Sequence, residues 1–210
     1  MKRVLVLAVI ASLAVPVLGD ILGNPYDGAA TFTLAQDFVW PGTDQLDTWV
    51  VSDFTTTQDY YLYDVWSQGW ATGSGGEGES ANFDIYDAFP WDGGNLILSA
   101  ADGYDHLHAE NRIGANFSGQ LLPAGSYYIA FQAVHNFLQP GGNTLIYHSN
   151  SGNFNDWEWN PGLGQNWGGP ARQIDASGPI DVNWQLTVEA VPEPAALTLL
   201  AFAGLLLRRR

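Results

Sequence analysis

From about residue 30 to residue 190 the chain is cut into short runs of aromatic and β-branched residues by glycine-rich turns, and no other feature limits its folding options so strongly. Ten strand candidates follow: 30–34, 48–54, 60–66, 82–86, 95–100, 113–117, 126–136, 144–148, 154–159 and 182–190. Two show their faces openly. Tyr127, Ile129, Phe131 and Ala133 alternate with Tyr128, Ala130 and Gln132, and polar and apolar residues alternate without a break from Asn183 to Val188. The intervening stretches, Gly73 to Gly78, Asp92-Gly93-Gly94, Gln139 to Gly142 and Gly162 to Gly169, carry turn chemistry. No long Ala/Leu/Glu/Lys stretch offers a helix between them. The pattern predicts an all-β domain, an antiparallel, jelly-roll-like sandwich, with no internal repeat and no second domain boundary.

The chain has 210 residues, and once its two unusual ends are set aside roughly 170 remain, enough for one domain. A domain of that size buries roughly 70% of its unfolded surface and needs no covalent staple. The absence of cysteine removes both a disulfide framework and a thiolate metal site, and it is compatible with export. Charge is lopsided. Between residues 21 and 190 there are 20 acidic residues against Arg112 and Arg172, a formal charge of −18. Such a domain repels polyanions, which excludes nucleic acid as a partner. The acidity reads as a solvated coat, with Ca²⁺ or a cationic surface as the functional alternative.

Residues 1–20, MKRVLVLAVIASLAVPVLGD, run from a basic pair into an apolar stretch from Val4 to Val15 and then to Pro16. That is the layout of a secretory signal, with Val17 and Gly19 as the small residues before a cut after Gly19. The other end, VPEPAALTLLAFAGLLLRRR, sets Pro192, Glu193 and Pro194 before the uncharged run Ala195 to Leu207 and closes on Arg208, Arg209 and Arg210. At 1.5 Å per residue that run spans about 20 Å, short of the roughly 30 Å hydrocarbon core. Snorkelling arginines and local thinning make a transient span feasible, with the arginines in the cytoplasm and the domain outside.

This order of Pro-Glu-Pro motif, apolar helix and basic cluster at the C-terminus resembles the PEP-CTERM sorting signal of Gram-negative bacterial proteins. The resemblance covers about a tenth of the chain. It implies recognition by an exosortase, a membrane-embedded cysteine transpeptidase that processes its substrate near the motif, and an association with exopolysaccharide and biofilm. Trp49 to Phe54 also resembles the first core strand common in such proteins, and Leu122 to Tyr128 resembles the turn and late strand of pre-peptidase-like sandwiches; both similarities concern architecture alone.

Searching for chemistry yields little that is specific. No G-x-S-x-G, H-E-x-x-H or P-loop pattern occurs, and the domain has no lysine for a Schiff base. A carboxylate pair of the glycosidase kind could be drawn from the many acids, but nothing singles out two of them. The segment Asp102 to Glu110 concentrates possible metal ligands. His106, His108 and Glu110 would share a face if extended, and Asp102 and Asp105 are the candidate ligands for Ca²⁺, which favours hard oxygen donors. Trp157, Trp159 and Trp167 lie among Asn153, Asn155, Asn160 and Asn166, where rings could stack on sugar faces while amides bond hydroxyls.

The sequence therefore predicts a signal peptide over 1–19, an extracellular β-sandwich over 20–190 and a sorting segment with a short transmembrane helix over 191–210. The expected protein is exported by the secretion machinery and signal peptidase, sorted to the cell envelope or extracellular matrix, transiently anchored in the inner membrane, and noncatalytic, with polysaccharide as its candidate ligand. A glycan hydrolase using two carboxylates and a purely structural coat component are the alternatives.

Overall fold

The computed structural model describes residues 19–28, 31–34, 36–38, 47–73, 80–106, 110–135, 141–150, 155–161, 171–174 and 181–192. The expected signal helix, the C-terminal apolar helix and the glycine-rich stretches 74–78, 139–140 and 162–169 lie outside the described residues. Among the described residues no helix is long and apolar enough to cross a membrane.

Among the described residues fifteen strands, numbered in chain order, form two sheets. The first runs β1 (Asp20–Asn24), β15 (Trp184–Ala190), β5 (Tyr60–Gly73), β11 (Gly141–Ser149) and β14 (Asp181–Val182); β2 (Phe32–Leu34) joins β11, β9 (Arg112–Leu122) joins β5, and β8 (Ala101–His106) joins β9. The second runs β13 (Ala171–Gln173), β12 (Trp157–Trp159), β4 (Trp49–Thr56), β10 (Gly125–His135), β6 (Ser80–Tyr86) and β7 (Leu96–Ser99), with β3 (Gln36–Phe38) beside β10. Pairing is antiparallel except between β3 and β10. The all-β sandwich and its antiparallel character are as the sequence pattern predicts.

Alternation sends one set of side chains from each sheet into a shared core. Leu62, Val65, Ile113, Phe117, Trp184, Leu186 and Val188 of the first sheet meet Val50, Phe83, Ile85, Ile129 and Phe131 of the second. Each such fully buried side chain contributes about 1.5–3 kcal/mol. On β10 the set Tyr127, Ile129, Phe131 and Ala133 turns to this core, while Ala130 and Gln132 of the opposite set are buried on the outer face.

Three features escaped the sequence reading. Strands β1, β3, β8 and β13 were not expected, and β5 and β9 run well past their predicted ends. The expected strand 182–190 breaks at Asn183, where the chain passes from β14 beside β11 to β15 beside β5. And the Pro123-Ala124 turn does not fold a hairpin within one sheet: it carries the chain from β9 in the first sheet to β10 in the second. That arch is laced by the Ala124 N–H to Asp59 (2.9 Å), the Gly125 N–H to Thr56 (3.1 Å) and the Tyr127 hydroxyl to the Pro123 carbonyl (3.0 Å). A second corner lies at Ala100, between β7 and β8. Its N–H donates to the Phe83 carbonyl (2.9 Å), and Gly103 lies so close to β6 that a Cβ would fall 1.8 Å from the Ala81 carbonyl oxygen.

Asn183 holds the strand switch. It is 1% exposed, its Oδ1 accepts the Gln68 N–H at 2.7 Å, and its Nδ2 donates to the carbonyls of Gln68 (2.9 Å) and Tyr147 (2.5 Å). One amide thus satisfies backbone groups of β5 and β11 that the break would leave bare, and a buried bare group costs roughly 1–3 kcal/mol. Asn183→Leu should therefore destabilise the fold by about 3 kcal/mol or more in denaturant unfolding; a loss below about 1 kcal/mol would show that the switch holds without the amide.

Candidate functional site

Strand β12 is only three residues long, and its middle residue fixes which way the others face. Glu158 is 4% exposed, accepts from Thr33 Oγ1 of the opposite sheet and is ion-paired with Arg172, so it points inward. Trp157 and Trp159 consequently point out, onto the far face of the second sheet. Register then gathers partners that are distant in sequence. Trp159 lies opposite Trp49, and a row runs across the sheet from Trp157 through Val51, Ala130 and Asp84 to Ser99. The next row places Tyr128 between Asp53 and Tyr86.

Over this face folds the segment around the 3-10 turn Pro90–Asp92, started by proline and ended by Gly93 at φ 88°, a conformation that favours glycine. It brings Phe89 and Trp91 onto the sheet. Phe89 stacks on Trp91 at 4.5 Å between centroids and meets Tyr128 at 4.2 Å; Trp91 meets Trp157 at 5.3 Å; Trp49 and Tyr86 approach Trp159 at 5.8 and 6.2 Å. Seven rings thus form one cluster, each half-buried. Beneath them the small side chains Val51 and Ala130 are fully buried although they lie on the outer face.

Two polar features sit in this apolar layer. The Asp84 carboxylate accepts from Ser99 Oγ at 2.6 Å and from the Tyr86 hydroxyl at 3.5 Å. Burial holds its carboxyl above the usual carboxylate range, the hydrogen bonds from Ser99 and Tyr86 pulling the other way, while burial and the Asp84 charge push Tyr86 up to about 12. The indole N–H of Trp157 is buried and has no acceptor.

The other predicted residues scatter. Trp167 lies outside the described residues, so the structure joins Trp157 to Trp159 but not to their third expected partner. Asp102 and Asp105 both fall on β8, Asp102 exposed at φ 51° and Asp105 2% exposed. Arg112 takes up Glu110 at 2.5 Å, with His106 at 3.8 Å from that carboxylate, and His108 lies outside the described residues. Among the described residues no group of three or more His, Cys, Asp or Glu is disposed to hold a metal ion. Pro192 is exposed just past β15; Glu193, Pro194 and Arg208 to Arg210 lie outside the described residues.

Sequence reasoning missed Trp49, Tyr86, Phe89, Trp91 and Tyr128 as companions of Trp157 and Trp159. For Trp49, Tyr86 and Tyr128 the signal was their parity on strands whose pairing was unknown, and Phe89 and Trp91, in the segment around the 3-10 turn, carried none. It also missed a polar layer between the sheets. Asp156 is 2% exposed, accepts the Val182 N–H on one oxygen and has no partner on the other; burial, then the neighbouring Asp181 charge, raise its carboxyl well above the usual range. His148, bonded through Nδ1 to Thr31 at 3.0 Å, is pushed down to about 4 by burial.

No protein-family model matches the chain, and no curated protein does. Among solved structures it is similar to that of the cysteine protease and lectin-like domains of Cwp84, a surface layer associated protein of Clostridium difficile, at 11% identity and a TM-score of 0.42. The match covers 69% of this chain and 32% of that one, so this chain spans about a third of the length of the solved chain that it matches.

The two buried titrating groups act on stability in opposite directions. A depressed His148 stabilises fully above pH 6.5, and that contribution is lost as pH falls toward about 4. A raised Asp156 does the reverse: its contribution is complete below pH 3.8 and is lost as pH rises through its native value. Asp156→Asn keeps an acceptor for Val182 and offers Asp181 a donor. Its melting temperature should exceed that of the unaltered protein at pH 8, with the gap closing toward pH 4; an equal gap at both pH values would refute the buried-acid assignment.

Proposed function

We propose that this is an exported, exosortase-sorted protein of the cell surface or biofilm matrix whose noncatalytic, jelly-roll-like sandwich binds polysaccharide on the outer face of its second sheet. The observation that carries the binding reading is the ring cluster of Trp49, Tyr86, Phe89, Trp91, Tyr128, Trp157 and Trp159. The sandwich already has its core on the other side of that sheet. A broad aromatic surface with a few polar groups is what sugar rings need, since their C–H faces stack on π systems while their hydroxyls find partners. A ligand that displaced the Trp91 ring would give the Trp157 N–H the acceptor it lacks. Asp156 and Asp181, carboxylates near enough for the charge of one to raise the other, are both buried, which weighs against their serving the hydrolase alternative.

Export and sorting rest on the two ends of the sequence. The end of the domain suits a direct hand-over: the Val191 N–H is tied to the Asp59 carbonyl at 2.9 Å, and the exposed Pro192 follows at once. Chains lacking residues 192–210, produced in a host that carries an exosortase, should appear in the culture medium or periplasm instead of the envelope or matrix. An unchanged destination would remove the sorting proposal.

For binding, the purified exported protein should be retained by at least one polysaccharide in affinity electrophoresis. The Trp157→Ala, Trp159→Ala double variant should lose that retention by about tenfold or more while keeping its far-ultraviolet circular dichroism. Retention that survives in a folded double variant would place the ligand elsewhere.

A further inference from the structure

The chemistry of the same face narrows its ligand further, and this step rests on the polysaccharide reading above. We infer that the face takes uncharged, hydroxyl-rich glycans, with Asp84 as the acceptor that receives their hydroxyls, and that it excludes glycans bearing carboxylate, sulfate or phosphate.

Exclusion follows from where the cations are. Recognition of an anionic sugar in a partly desolvated site needs an arginine or lysine against it, because a buried unpaired charge costs far more than stacking returns. Between residues 4 and 207 the sequence supplies no lysine and only two arginines, Arg112 and Arg172. Neither reaches the ring face. Arg172 lies in register with Glu158, the residue whose side chain points opposite to Trp157 and Trp159, and is ion-paired to it. Arg112 is on β9 of the other sheet, bound to Glu110 at 2.5 Å and 5.8 Å from the centroid of Tyr104. The residues outside the described ones supply no lysine or arginine to the domain either, since Arg112 and Arg172 are the only two in its sequence. The face itself carries Asp84, and Asp53 falls on the neighbouring row, inside a domain of formal charge −18. A polyanion is therefore repelled on approach and unpartnered on arrival.

Acceptance follows from the hydrogen-bonding inventory. An ionised carboxylate offers about four acceptor positions and no donor. Ser99 and Tyr86 use two of those of Asp84 and fix its orientation, which leaves capacity for the hydroxyls of a sugar. Asp84 stands in the row that begins at Trp157, with only Val51 and Ala130 between them. Three strand spacings, about 14 Å, separate the two positions, so a glycan of several units lying across the half-buried rings that cover Val51 and Ala130 meets an indole at one end and an acceptor at the other. A neutral glycan meets both needs, whereas an anionic one brings acceptors to an acceptor.

The test is native affinity electrophoresis of the exported protein through gels holding a neutral β-glucan, alginate or chitosan, at low and at physiological ionic strength. The neutral polymer should retard the protein at both ionic strengths, alginate at neither. Asp84→Ala should weaken retention on the neutral polymer roughly tenfold. Asp84→Asn, which preserves shape and an acceptor for Ser99, should weaken it less and guards against a mere folding defect in the alanine variant. Alginate retention that disappears in Trp157→Ala, or Trp157-dependent retention confined to chitosan, overturns the inference and leaves the polysaccharide reading standing. Unchanged retention of a folded Asp84→Ala overturns the role of Asp84. Passage through all three polymers without retardation removes the polysaccharide reading itself.

Discussion

Trp184 is where the two sheets lock together. Among the described residues it is the largest fully buried side chain, it belongs to β15 in the first sheet, and its indole N–H donates to Ser52 Oγ of β4 in the second at 2.9 Å. Phe54, two residues along β4, packs edge-on against the same ring at 5.2 Å, and Gly23 of β1 comes so near that a Cβ would stand 2.8 Å from it. A buried indole must find an acceptor, so the bond fixes β4 along its length as well as its distance from β15. Everything on the outer face inherits that register, because the parity that turns Ser52 and Phe54 inward turns Trp49, Val51 and Asp53 outward.

The second sheet is therefore apolar on both sides. Its inner side closes the core, and its outer side carries a further layer of rings over Val51 and Ala130. An outer layer of this kind is not needed to close a two-layer sandwich, and the rings do not cover one another completely. The polar chemistry is divided in a matching way. Between the sheets Glu158, Asp156, Asp181 and His148 are buried where water is scarce, and burial raises the Asp156 carboxyl and lowers the His148 imidazole. On the outer face Asp84 remains within reach of solvent and is oriented by two hydroxyls. The first group belongs to the stability of the fold; the second is the acceptor on which the proposed glycan binding relies.

Much of the architecture was legible beforehand. The alternation in β10 separated its two faces correctly, and the glycine and proline positions marked where strands end. What failed were boundaries and partners. Strand β8 carries Asp102, Gly103 and His106, a composition that reads as loop, and it is extended because β9 supplies its hydrogen bonds and β6 its close contact at Gly103. Asn183 looked like an ordinary polar position in an alternating strand, yet it is buried because β11 ends beside it and needs its amide. Of the candidate site, Trp157 and Trp159 stood out in the sequence by their density, whereas Trp49, Tyr86, Phe89, Trp91 and Tyr128 lie on separate elements with nothing local to connect them.

By itself the sequence determined the fold class, the alternation of faces in the clearest strands, the strongly acidic balance of the domain and the marked asymmetry of the two chain ends. These are properties of composition and of period-two patterning, which short-range sterics and solvation translate directly into structure. Tertiary structure alone decided which strands neighbour which, and hence that seven rings from distant segments share one surface with Asp84 and without an arginine. Strand pairing is settled by long-range hydrogen bonds and by the fit of two faces across a core, and neither is written in any local stretch of the chain.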